Sequence, residues 1–108
     1  MLKTGILNPQ LNSLLSRVRH TNTLVIADRG FPFWPGLETI DLSLVDGVPT
    51  VLQVLAAIRQ NFVIGEARMA EEFLSANTDS IRADFARTLQ GISVRYEPHD
   101  AAFKPRIP

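Results

Sequence analysis
The chain has 108 residues, 45% hydrophobic and 20% charged, which suits one globular domain and leaves too little apolar material for two independent cores. Eleven Lys and Arg balance eleven Asp and Glu, so there is no net field to draw in nucleic acid or an anionic membrane surface. Cysteine is absent, which excludes disulfide scaffolds, thiolate metal sites and cysteine nucleophiles, and no apolar run approaches the roughly 20 residues a membrane helix needs. The expectation is a cytoplasmic protein without a signal peptide.

The first helix is predicted from about Pro9 to Arg19. Asn8 is a capping side chain ahead of a first-turn proline, and Leu11, Leu14, Leu15 and Val18 recur at helical spacing. "TLVIA" at 23–27 is short, β-rich and apolar on both faces, the pattern of a strand covered by helices on either side. His20 precedes this run and Asp28 follows it, eight residues apart. In helix-covered sheets ligands collect beyond the carboxyl ends of strands, which draws attention to Asp28. The loop that follows, "RGFPFWPG", is stiffened by Pro32 and Pro35 and holds Phe31, Phe33 and Trp34.

"ETIDLSL" at 38–44 alternates Ile40, Leu42 and Leu44 with polar residues, a strand with one buried face, and Asp46-Gly47 ends it. Pro49 opens a second predicted helix reaching Arg59, with Val51, Leu52, Val54, Leu55 and Ile58 on one stripe. Residues 61–70 read as a strand, although "ARMAEEFL" has helical character. Asn77 and Thr78 are cap candidates for a third helix in which Ile81, Phe85 and Leu89 face the core, and "GISVRYEP" reads as the last strand, with His99 just beyond it. This alternation of helices and strands predicts an α/β fold, a single layered domain with a mixed sheet flanked by helices.

Most standard chemical motifs are missing: there is no phosphate-cradling glycine loop, no histidine pair at metal-ligand spacing and no nucleophile motif. Both histidines fall at element ends, where a side chain that titrates near neutrality can exchange protons. Each polar candidate also has a structural reading. A histidine in a last helical turn can simply meet the free carbonyls there, and an aspartate before Gly30 can cap a turn. The loop aromatics are either local packing or a subunit contact. Asp41 reads as a solvated residue, and Glu66, Glu71 and Glu72 as a charged surface.

Three stretches, "GILNPQLNSLLSRVRHTNTLVIADRGFP", "IDLSLVDGVPTVLQVL" and "ISVRYEPHDAAFK", resemble the ribose mutarotase (D-ribose pyranase) family of the ribose and fucose mutarotase group, with "IDLSLVDGVP" nearer the ribose branch. The resemblance runs through essentially the whole chain. It implies an isomerase that interconverts ring forms of D-ribose or a related monosaccharide by acid/base ring opening and reclosure, with no metal or other cofactor. It implies that His20 is the acid/base residue and that Asp28 and His99 bind the sugar. Lys104 occupies the neighbourhood of a family lysine and is by the same resemblance a further candidate for binding the sugar. It further implies a homo-oligomer, ring-shaped and of pentamer or decamer type, with sites at subunit contacts.

Family members continue into a segment with a Thr-x-Tyr-x-Asn motif, and this chain stops at "KPRIP". The expectation is therefore a single mutarotase-like domain over residues 1–108 lacking that C-terminal segment. Loss of the segment is the one feature that favours a different class of function, a non-catalytic monosaccharide-binding or assembly module linked to sugar transport or catabolism. Nucleic-acid binding is disfavoured, because Arg17, Arg19, Arg29 and Arg59 are scattered among acids.

Overall fold
The structure, a computed structural model, describes residues 2–3, 5–19, 22–28 and 35–98. The chain divides into two compact units, Met1–Val63 and Ile64–Pro108, each taken here by itself.

The first unit carries two helices. In α1, Pro9–Arg17, the Asn8 Oδ1 accepts from the Leu11 N–H at 2.8 Å and proline fills the first turn, as the sequence predicts. The helix stops two residues earlier than expected, where Val18 turns extended. Leu11 is its buried residue, with Leu14, Leu15 and Val18 half-buried beside it.

In α2, Val51–Asn61, the start lies two residues beyond the expected Pro49. The cause is a capping box the sequence reading missed: Thr50 Oγ1 accepts from the Gln53 N–H at 3.1 Å, and Gln53 Oε1 accepts from the Thr50 N–H at 2.8 Å. Ile58 is buried and the rest of the predicted stripe half-buried. The Val48-Pro49 peptide bond is cis.

Two predicted strands of this unit differ. Residues 23–27 lie outside any helix or strand, with Val25 36% exposed. Residues 38–44 are also irregular. The physical reason at 38–44 is local competition: Asp41 Oδ1 accepts from the Ser43 N–H at 2.9 Å and from the Ser43 hydroxyl at 2.5 Å, bonds that replace a ladder. A tight turn follows, in which the Val48 N–H donates to the Val45 carbonyl at 3.0 Å and Gly47 takes φ +79°, the left-handed region that favours glycine. For 23–27 the β-rich composition reports apolar surface, whereas a strand also needs a neighbour whose edge is open to it.

The second unit is a strand-helix-helix-strand unit: β1, Glu66–Ala70; α3, Glu72–Ala76; α4, Asp79–Thr88; and β2, Ser93–Glu97. The strands pair in parallel from Glu66↔Ser93 to Ala70↔Glu97, and the intervening helices supply the crossover that a parallel pair requires. The 61–70 stretch thus resolves into a shorter strand followed by a short helix. Thr78, not Asn77, caps α4, accepting from the Ile81 N–H at 3.3 Å. Asn77 closes α3 instead, its Nδ2 donating to the Phe73 carbonyl at 3.1 Å.

Arg82 ties the two helices together. Its Nη1 donates to the Leu74 carbonyl at 2.5 Å and the Asn77 carbonyl at 3.0 Å, and its Nη2 pairs with Asp79. Leu89 is buried and Phe85 meets Phe73 edge-on, ring centres 4.9 Å apart at 68°. Ile81, expected to face the core, is 40% exposed. It lies in the first turn, about 12 Å along the axis from Leu89, and is not among the residues around the cleft beneath this helix.

Candidate functional site
Register settles what each sheet face carries. Ala67, Met69, Val94 and Tyr96 alternate with Glu66, Arg68, Arg95 and Glu97, so the two sets lie on opposite faces. On the apolar side a cleft of about 290 Å³ is bordered by Met69, Phe73, Phe85, Leu89, Val94 and Tyr96. Arg82 and Gln90 also border it, and Arg82 already holds two carbonyls and a carboxylate, so the cleft belongs to the packing of this unit more than to recognition of a polar ligand.

The polar face places Arg68 directly opposite Arg95, a repulsive pair taken alone. Glu66 offsets it, with its Oε1 2.9 Å from Arg95 Nε and 3.8 Å from Arg68 Nη2, and Glu97 lies 3.8 Å from Arg68 Nε. Glu66, read as plain charged surface, is thus the centre of an ion network.

Of the four residues singled out for the sugar, Asp28 is the one among the described residues; His20, His99 and Lys104 lie outside them, as do Phe31, Phe33 and Trp34. Asp28 is exposed at the end of the apolar run 23–27.

Arg19 and Asn22, on either side of residues 20–21, which lie outside the described residues, are bonded to each other. The Arg19 N–H donates to Asn22 Oδ1 at 2.8 Å, and the Asn22 N–H donates back to the Arg19 carbonyl at 2.8 Å. Arg19 is in turn anchored on α1, its Nη1 donating to the Ser16 carbonyl at 2.6 Å and the Val18 carbonyl at 3.2 Å. Sequence reasoning passed over Asn22, and the signal available was an asparagine three residues after an arginine at a helix end, a spacing suited to a side-chain-closed turn.

The hydroxyl of Ser43, and then the Ser43 backbone N–H, hold the Asp41 carboxyl below the usual aspartate range.

The class these features define is a small α/β protein with capped helices, a parallel strand-helix-strand unit and an exposed acid beyond an apolar segment. The profile of the RbsD / FucU transport protein family matches residues 1–107, and the chain belongs to that family.

Similar proteins include one named D-ribose pyranase from Geobacillus kaustophilus, 43% identical over 93% of this chain and 73% of that protein. A second of that name, from Serratia proteamaculans, is 39% identical over 94% of this chain and 78% of its own length. A solved structure, that of Bacillus subtilis RbsD complexed with D-ribose, superposes with a TM-score of 0.82 at 31% identity, covering 98% of this chain and 79% of that one.

Proposed function
We propose that the protein is an isomerase that interconverts the pyranose and furanose forms of D-ribose or a close relative. The observation that carries this reading is the likeness, at 43% identity over 93% of the chain, to a protein named D-ribose pyranase. It is supported by the fold shared with Bacillus subtilis RbsD, whose structure was solved in complex with D-ribose.

The reaction needs one proton moved twice. A base removes the anomeric hydroxyl proton, the C1–O bond to the ring oxygen breaks as that oxygen is protonated, and the open aldehyde forms. Rotation about the carbon–carbon bonds of the open chain brings a different hydroxyl to C1, and its attack closes the other ring, with the protons passed in reverse. Atoms and charge balance without an oxidant, metal or other cofactor. The exchange already proceeds in water, so general acid/base assistance of about 10²- to 10⁴-fold gives a useful catalyst. In this reading His20 moves the protons, and Asp28, His99 and Lys104 bind the sugar.

The finer parts of the reading are a cytoplasmic protein and a ring-shaped homo-oligomer built from a single domain spanning 1–108. Among the described residues no helix is long and apolar enough to cross a membrane. The assembly is supported by how little apolar surface the chain covers alone. Among the described residues only Leu11, Ile58 and Leu89 are buried apolar side chains, while Leu44 stays 78% and Val63 89% exposed.

The test is the His20→Ala variant. It is expected to remain folded and to bring ribose ring exchange down to the uncatalysed rate; exchange at the wild-type rate would remove His20 from the mechanism. Ribose binding without acceleration by the wild-type protein would instead favour a non-catalytic sugar-binding module.

A further inference from the structure
We draw no further inference here: the strongest candidate, the exposed apolar patch that Leu44, Val45 and Val48 form at the tight turn of the first unit, carries nothing, because nothing among the described residues shows what covers it.

Discussion

At the scale of single residues, Asp41 gives a titration that can be followed directly. Its carboxylate accepts two bonds from Ser43, and those bonds favour the charged form. The carboxyl is therefore expected to titrate below the ordinary aspartate value of about 3.9, and Ser43→Ala to bring it back up, as read by carboxyl-carbon NMR against pH. Because the folded value is the lower one, the stabilisation is complete above the ordinary value and disappears as pH falls through the lowered one. An Asp41 midpoint unmoved by Ser43→Ala would contradict the bonds described here. Asp41 and Asn22 share a lesson about sequence reading. Asp28 stands out because it follows an apolar run, whereas Asp41 and Asn22 act through bonds two or three residues away that neither composition nor periodicity announces.

At the scale of elements, the helices were legible because their signals are local. Asn8-Pro9 marks the start of α1 and Thr78 the start of α4, and the apolar stripes of α1 and α2 hold their buried residues. The Thr50/Gln53 box moves the start of α2 beyond Pro49 for the same local reason, and Thr50→Ala is expected to cost about 1 kcal/mol in a urea melt. The strands were legible only where a partner exists. Residues 66–70 and 93–97 find each other across a helical crossover, while 23–27 and 38–44 carry β-like patterns without a ladder. Leu89 is the buried residue among the described residues of the second unit, so Leu89→Ala is expected to cost about 2–5 kcal/mol, toward the low end because the open cleft beside it lets the neighbours relax. A change below about 0.5 kcal/mol would place the core of this unit elsewhere.

At the scale of the whole molecule, the fold class was legible from the alternation of elements and the family from three motif-bearing stretches in their order, and the family match over residues 1–107 agrees with both. An assembly was not legible in the same way, because exposure is a property of the folded chain. Leu44, Val45 and Val48 form an exposed apolar turn that reads in sequence as an ordinary strand end. Sedimentation velocity is expected to give a species several times the 12.0 kDa chain mass, and a pure monomer at micromolar concentration would contradict the ring assembly. The central claim is that this 108-residue chain changes the ring form of a free sugar. The most direct measurement is NMR magnetisation transfer between the anomeric carbons of ribopyranose and ribofuranose, with and without the protein, and with fucose as the comparison. The account predicts faster pyranose-to-furanose exchange for ribose and less effect on fucose; exchange at the uncatalysed rate for both sugars, with protein shown to be folded, would contradict it.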